Sequence, residues 1–231
     1  MNTQAPIVLL TGAAGHLGRA VAQAFADRGA QLVLLDRVAG ESPQGPAPAP
    51  LWLSADLRQP EAVQAAVQQA VARFGRIDVL CNLAGGFRMG EAVHETGADT
   101  WDFLFDLNAR SVVHLAQAVV PHMLRQGSGK IVNVAAFAAQ RGGARMGAYA
   151  ASKSAVIRLT EAMSAELREQ GINVNCVLPT VIDTPPNRAD MPGADPTRWV
   201  APADLANVIL FLASPEAKAV HGAALPVSGL S

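Results

Sequence analysis

An α/β fold, a doubly wound parallel sheet with helices on both faces, is what the sequence predicts, and three observations predict it. Short β-rich apolar runs alternate along the chain with longer segments of helical period. Most of the strand-like runs are apolar throughout rather than at every second residue, which is how strands buried on both faces read. The first strand passes into the first helix through a glycine-rich turn, and a second strand then completes a βαβ unit of about thirty residues, a mononucleotide-binding architecture. Right-handed crossovers between such parallel strands put helices on either side of the sheet.

The elements follow in order. Ile7 to Leu10 is the first strand, Leu17 to Asp27 an amphipathic helix closed at Gly29, and Gln31 to Asp36 a second strand ending in a carboxylate. Gly40 to Pro50 is rich in proline and glycine without periodicity, so a surface loop of polyproline character is expected before a short strand over Leu51 to Leu53. Pro60 to Phe74 reads as a helix with proline at its start and Gly75 at its end, followed by a strand over Ile77 to Cys81. Asp99 to Gln126 is helical in period, Gly129 to Val134 a strand, Gly147 to Gln170 a long helix and Ile172 to Leu178 a strand. Ala201 to Ala213, with Pro202 in its first turn, and a short strand over Ala223 to Val227 complete an expected seven strands and about six helices. Pro179 to Ala201 is rich in proline and lacks either period, so a flexible flap is expected there.

A chain of 231 residues is long enough for one substantial core, and a single domain over residues 1–231 is expected. Its 18 basic and 19 acidic side chains nearly cancel, leaving no electrostatic footprint for nucleic acid or a membrane surface. The first apolar run is too short for a signal-peptide core or a membrane span, so the cytoplasm is the expected location. Cys81 and Cys176 sit in apolar strand-like runs without metal-ligand spacing; they read as reduced, buried small hydrophobes, and no metal site is expected.

Two stretches carry chemistry. In Thr11-Gly-Ala-Ala-Gly-His-Leu-Gly18, glycines at 12, 15 and 18 lie between first strand and first helix, where backbone N–H groups can approach a pyrophosphate and the helix N-terminus adds its dipole. Gly12, Gly15, His16, Leu17 and Gly18 are therefore candidate cofactor contacts. Asp36, at the end of the second strand, is placed to accept from the adenosine ribose hydroxyls and to repel an extra phosphate, which favours NAD(H) over NADP(H). Arg37 beside it is the counter-indication, able to pair with a 2′-phosphate were Asp36 turned away. Asp56, with Leu57, follows the third strand, either beside the adenine or as a turn residue.

The second stretch is Tyr149-Ala-Ala-Ser-Lys153, the chain's one tyrosine four residues before one of its three lysines in a helical segment. At that spacing the two share a face. An ammonium beside a phenol favours the phenolate, so Tyr149 is expected to exchange a proton well below the pH of free tyrosine.

Taken together, Thr11-Gly12 with its glycine turn, Asn82-Leu-Ala-Gly85 after the fourth strand, Asn108 in the following helical segment, and Tyr149 with Lys153 make the chain resemble the short-chain dehydrogenase/reductases over nearly its whole length. The resemblance implies a single Rossmann-type domain, usually a tetramer, that transfers hydride between a nicotinamide and a carbonyl or alcohol carbon of a small molecule. It makes Tyr149 the acid or base. Lys153 would hold the nicotinamide ribose and lower the tyrosine pKa, and Asn108 would anchor a water in the proton relay or else only satisfy helix backbone. Asn82, Ala84 and Gly85 would line the cofactor, and Pro179, Ile182 and Thr184 match positions that meet the nicotinamide carboxamide and phosphate. A homotetramer or homodimer is implied, with Asp99–Gln126 and Gly147–Gln170 as faces that either join subunits or only cover the sheet.

The chain departs from the family pattern in two places. His16 stands where most short members have glycine, and Ala136 stands where the family usually has a serine that hydrogen-bonds the substrate oxygen. Loss of such a donor typically costs on the order of 10²- to 10³-fold in turnover where charge develops on oxygen. Gln140 is the nearest neutral polar substitute, with Asn133 inside the strand; either serves the substrate or merely its own surroundings. The dihydropteridine reductase branch also has alanine there, and Val177-Leu-Pro179, Asp183-Thr-Pro185 and Met191-Pro192 resemble its C-terminal segment, which implies a quinonoid acceptor that needs less polarisation. Trp199 and Met191 either line a substrate pocket or pin the flap. Ala136 also leaves room for a protein that senses NAD without turnover, against which the retained Tyr149 and Lys153 argue.

Overall fold

The computed structural model describes residues 5–45 and 48–231. Its centre is one parallel sheet of seven strands: β1 (Ile7–Thr11), β2 (Gln31–Asp36), β3 (Leu51–Ser54), β4 (Val79–Asn82), β5 (Gly129–Val134), β6 (Ile172–Pro179) and β7 (Ala224–Val227). They lie in the order β3-β2-β1-β4-β5-β6-β7. The chain runs outward from β1 to β3, crosses back, and continues from β4 to β7, so the order reverses between β1 and β4. In open α/β sheets that reversal leaves a crevice at the carboxyl ends of the strands. Thr11 and Asn82, last residues of their strands, face each other there in register.

Both faces of the sheet are packed, as continuous apolar strands require. Val8 and Leu10 point to a core completed by Val21 and Phe25 of α1 (His16–Ala26) and Leu205 and Ile209 of α7 (Pro202–Ala213). Their neighbours Ile7 and Leu9 point the other way, against Val63 and Val67 of α2 (Pro60–Phe74) and Leu115 and Val119 of α4 (Ser111–Gln126). The period of two thus shows in which core each residue joins, not in a change of polarity. Each such leucine, fully buried, contributes roughly 1.5–3 kcal/mol of transfer free energy. A third cluster, with Val156, Ile157, Cys176 and Leu178, seats α5 (Gly147–Leu167) on β5 and β6. Both cysteines are free and buried.

Two segments differ from the sequence reading. The helix expected over Asp99 to Gln126 is α3 (Ala98–Phe105), a π-helical turn over Asp106–Arg110 and then α4. One wide turn barely shifts an apolar period over so long a segment, so the pattern hid it. The stretch from Pro179 to Ala201, expected without regular structure, holds a short helix α6 (Pro185–Asp190), a 3₁₀ turn (Pro196–Arg198) and a parallel bridge between Ile182 and Val200. A six-residue helix is too short to display a period, and its two leading prolines fit N-terminal positions where no N–H is needed. Of the loop over 40–50, residues 46 and 47 lie outside the described residues; the remainder carries neither helix nor strand. Among the described residues, no helix is long and apolar enough to cross a membrane.

Candidate active site

The glycine turn joins β1 to α1 at the crevice. Gly12 has φ +66°, and a Cβ there would lie 2.9 Å from the backbone of Ala84. At Gly18 a Cβ would stand 2.1 Å from the Gly12 carbonyl oxygen, so glycine alone lets helix and turn approach. Gly15 is different. It is exposed, and its N–H donates to the Gly12 carbonyl at 3.1 Å. His16 and Leu17 open α1, where backbone N–H groups have no acceptor within the helix. Between an exposed turn and a bare helix N-terminus an anion finds donors and the positive end of the dipole. The His16 ring is paired through Nδ1 with the Arg19 guanidinium at 3.1 Å.

At the end of β2 the Asp36 carboxylate faces this turn, accepting the Ala14 N–H at 3.0 Å and the Arg37 N–H at 2.7 Å. Arg37 is exposed. Asp56 is engaged elsewhere: Arg58 grips it from both Nε and Nη2 and lowers its pKa to about 2, chiefly through those hydrogen bonds. Leu57 is buried in the core beside α2.

Across the crevice, the Thr11 hydroxyl accepts the N–H groups of Leu83 (3.1 Å) and Ala84 (3.3 Å) and so fixes the chain leaving β4. Asn82 donates to Asn133 at 2.7 Å, and Asn133 donates to Thr160 of α5 at 2.8 Å. That buried chain settles Asn133 as a brace between sheet and helix. The Asn82 Oδ1 is buried without a partner among the described residues. Gly85 comes next, and a Cβ on it would lie 3.0 Å from both the Asn108 Oδ1 and the Lys153 Nζ. Asn108 sits in the π-helical turn and is buried; its side chain accepts the Gly86 N–H (2.8 Å) and donates to the Gly86 carbonyl and the Ser152 hydroxyl (both 3.0 Å). The Ser152 hydroxyl in turn donates to the Tyr149 carbonyl at 2.8 Å. Asn108 thus ties the chain after β4 to the helix carrying the tyrosine, and its side-chain amide is taken up in doing so.

Lys153 is 5% exposed; its Nζ donates to the Val134 carbonyl at 2.8 Å, and burial lowers its pKa to about 8. Tyr149, half-buried, departs from expectation: burial pushes its pKa up to about 12. In the protein alone, desolvation of the phenolate outweighs the ammonium, which is itself spent on Val134. Ala136 is buried just beyond β5 and brings no donor. Gln140 is exposed, its N–H donating to the Phe137 carbonyl at 3.1 Å behind a 3₁₀ turn over Phe137–Ala139. Pro179 ends β6 beside Val227, Ile182 bridges to Val200, and the Thr184 hydroxyl caps α6 by accepting the Asn187 N–H at 3.4 Å. Trp199 is half-buried where the chain returns from the 3₁₀ turn, its carbonyl packed by Gly229.

A family model described as enoyl-(acyl carrier protein) reductase matches residues 12–229, nearly the whole chain. The chain belongs to the short-chain dehydrogenase/reductase family. A 2-dehydro-3-deoxy-D-gluconate 5-dehydrogenase of Escherichia coli is 34% identical to this dehydrogenase/reductase over 99% of this chain and 96% of its own. Among solved structures, the carveol dehydrogenase of Mycobacterium avium in complex with NAD superposes with a TM-score of 0.86 at 28% identity, covering 97% of this chain and 96% of its own. A protein of Beutenbergia cavernae described as an NAD(P)-dependent gluconate 5-dehydrogenase, with NADP bound at low occupancy, superposes at 0.86 and 30% identity over 98% of this chain and 96% of its own. The shared activity is NAD(P)-dependent oxidoreduction of a small-molecule alcohol or carbonyl. These likenesses reach the family; they do not extend to the dihydropteridine reductase branch.

The residues present fit such a dinucleotide. The turn is stripped of side chains at Gly12 and Gly18, exposed at Gly15, bordered by the Asp36 carboxylate, and continued by Gly85, behind which Lys153 stands. Among the described residues no group of three or more His, Cys, Asp or Glu is placed to hold a metal. The sequence reading missed Phe87, whose ring stands edge-on to Tyr149 at 4.8 Å, and Arg145, the one non-glycine among the described residues with positive φ. Nothing in the sequence marked either residue.

Proposed function

We propose that this dehydrogenase/reductase reduces the carbonyl of a small molecule with NADH in preference to NADPH, Tyr149 giving the proton. The observation that carries the proposal is that Asn108 and Lys153 converge on Gly85 beyond the carboxyl ends of β4 and β5, with Tyr149 one helical turn before Lys153 on α5 and the glycine turn at the same crevice. When bound, the nicotinamide supplies or takes the hydride. Gly12, Gly15, His16, Leu17 and Gly18 would hold the pyrophosphate, Asp36 the adenosine ribose, and Ala84, Gly85 and Lys153 the nicotinamide end.

Tyr149, held protonated at neutral pH by its burial, is set to donate from its phenol oxygen to a substrate oxygen as that oxygen gains charge. Lys153 is close to its own pKa near pH 8, so it can hold a ribose hydroxyl and steady the phenolate left behind. Asn108 keeps the chain after β4 and helix α5 in fixed register, which holds the donor where the acceptor arrives. Residues 179–201 would fold over the pair, with Pro179, Ile182 and Thr184 on the nicotinamide side. Preference for NADH is supported by the Asp36 carboxylate, which stays turned toward the glycine turn instead of leaving it to Arg37.

A second reading, a quinonoid pterin reduced by NADH, is favoured by Ala136, since an acceptor that regains aromaticity needs less help at its oxygen. One assay series separates the two: purified protein with NADH or NADPH and, in turn, quinonoid dihydropterin, a diketone and a simple ketone. Turnover of the ketones with NADH above NADPH is expected; turnover of the pterin alone would replace the first reading by the second. Tyr149→Phe should lower the rate by about 10²-fold or more. An unchanged rate would remove Tyr149 as donor, and cofactor binding without turnover of any acceptor would point to a sensor.

A further inference from the structure

We propose that Phe87 is a specificity-determining wall of the reaction site, selecting substrates that carry an apolar ring beside the reacting carbon over small polyhydroxylated ones. The inference rests on the reading of Tyr149 as proton donor. The Phe87 ring meets the Tyr149 ring edge to face, with centroids 4.8 Å apart and planes at 86°. It is nevertheless 56% exposed. A large apolar side chain with one edge on the donor and most of its surface open to solvent has apolar area to give to whatever docks against the donor.

Its position is imposed from both sides. Just before it, the N–H and carbonyl of Gly86 are both held by the Asn108 side chain, at 2.8 and 3.0 Å. Gly86 itself lies against the Phe103 ring, where a Cβ would meet ring carbons at 2.7 Å. Just after it, the Gly90 N–H donates to the Arg145 carbonyl at 2.8 Å, while the Arg145 guanidinium donates back to the Gly90 carbonyl at 3.0 Å. Arg145 makes this pair with φ +60°, a conformation that costs a non-glycine residue on the order of 1 kcal/mol. The strained clamp lies four residues before Tyr149, so the segment bearing Phe87 is fastened at one end to Asn108 and at the other to the approach of α5. An aromatic held that firmly against the donor is a fixed wall.

The chemistry of the wall follows. Ala136, buried just beyond β5, offers a methyl group where the family usually has a serine hydroxyl. A substrate with hydroxyls on either side of its carbonyl would press some of them against apolar carbon, losing roughly 1–3 kcal/mol for each one left without a partner. An apolar ring on the Phe87 face gains roughly 0.5–1.5 kcal/mol from aromatic packing beyond its area burial.

The test uses the full chain and Phe87→Ala and Phe87→Leu variants with α-tetralone, cyclohexanone and dihydroxyacetone as acceptors. The expected wild-type kcat/KM falls in that order, and Phe87→Ala lowers the tetralone-to-dihydroxyacetone ratio about tenfold or more while the KM for NADH stays put. Phe87→Leu, which keeps apolar bulk without the ring, should fall between. Removing the ring also admits water to the phenol, so the alkaline limb of the rate profile should move to lower pH in Phe87→Ala, a change that a merely structural role would not produce. A ratio unchanged within twofold, or a wild-type preference for dihydroxyacetone, overturns the proposal. Calorimetric binding of α-tetralone to the protein saturated with NAD⁺ is the second readout: binding about tenfold weaker in Phe87→Ala upholds the wall even if no ketone turns over, in which case the proposed reaction is what fails. Equal binding, or none to either protein, overturns the wall itself.

Discussion

Thr11→Val tests how far the site depends on one hydroxyl. Thr11 is fully buried at the end of β1, and its Oγ1 accepts two backbone N–H groups, of Leu83 at 3.1 Å and Ala84 at 3.3 Å. Valine reproduces the shape and removes the acceptor, leaving two half-buried donors facing a methyl group. Each orphaned donor costs roughly 1–3 kcal/mol, and the longer of the two bonds belongs at the low end, so about 2–4 kcal/mol is expected in total. For a chain of this length that is a fall in Tm of roughly 5–12 °C. Relieving the penalty would require Leu83 and Ala84 to move, carrying with them Gly85, which has no room to spare against Asn108 and Lys153. Affinity for NADH should therefore drop about tenfold, equivalent to 1.4 kcal/mol.

Urea unfolding gives the first number and fluorescence titration with NADH the second. Thr11→Ser is the control: it keeps the acceptor and loses one methyl group, a cost of about 1 kcal/mol, and should bind NADH as the wild type does. A Thr11→Val protein within 0.5 kcal/mol of wild type, or a serine variant less stable than the valine one, would refute the argument that this hydroxyl holds the chain after β4.

Two further outcomes follow from the same geometry. Asp36→Asn keeps an acceptor for the Ala14 N–H and removes the charge, so the NADPH-to-NADH ratio of kcat/KM should rise about tenfold or more, with Arg37 free to meet the added phosphate; a ratio that does not move would mean the carboxylate does not set the preference. Stability should depend on pH through Lys153. Its pKa is about 8 when folded against an ordinary value of 10.5, so between these the unfolded chain holds a proton that the folded chain lacks and stability rises with pH, by up to roughly 3 kcal/mol across the window. Tyr149, raised to about 12 from 10.0, acts oppositely: above pH 10 the folded chain keeps its proton and stability falls. Lys153→Met should abolish the rise between pH 8 and 10 in urea unfolding, and an undiminished rise in the variant would assign it to other groups.

The sheet, the glycine turn and the tyrosine–lysine helix were legible because each leaves a short-range trace. Continuous apolar runs report burial on both faces, glycines at 12 and 18 report places where no Cβ fits, and a four-residue interval on a helix reports a shared face. Asn108 was legible as a residue but not in its setting, since the π-helical turn that holds it leaves the surrounding period nearly intact. The helix over Pro185–Asp190 was illegible for the opposite reason: six residues complete fewer than two turns. Phe87 and Arg145 were out of reach altogether. They matter through contacts between the segment after β4 and the approach to α5, and no local pattern in either announces the other.

The sign of the Tyr149 shift shows where such reading stops. From sequence, a lysine four residues away argues for a lowered phenol pKa, and the argument is sound for two groups on an open helix surface. In the folded chain the same helix is pressed onto β5 and β6, the ammonium donates to the Val134 carbonyl, and the Phe87 ring stands against the phenol. Burial penalises both charged forms, so the lysine moves down and the tyrosine up, each toward neutrality. The two are thereby driven apart in proton affinity, from nearly equal ordinary values to about 8 for the ammonium and about 12 for the phenol, so the phenol is the group that keeps its proton as the pH rises. Sequence spacing selects the two partners; the dielectric of the place where the fold puts them decides which one holds the proton.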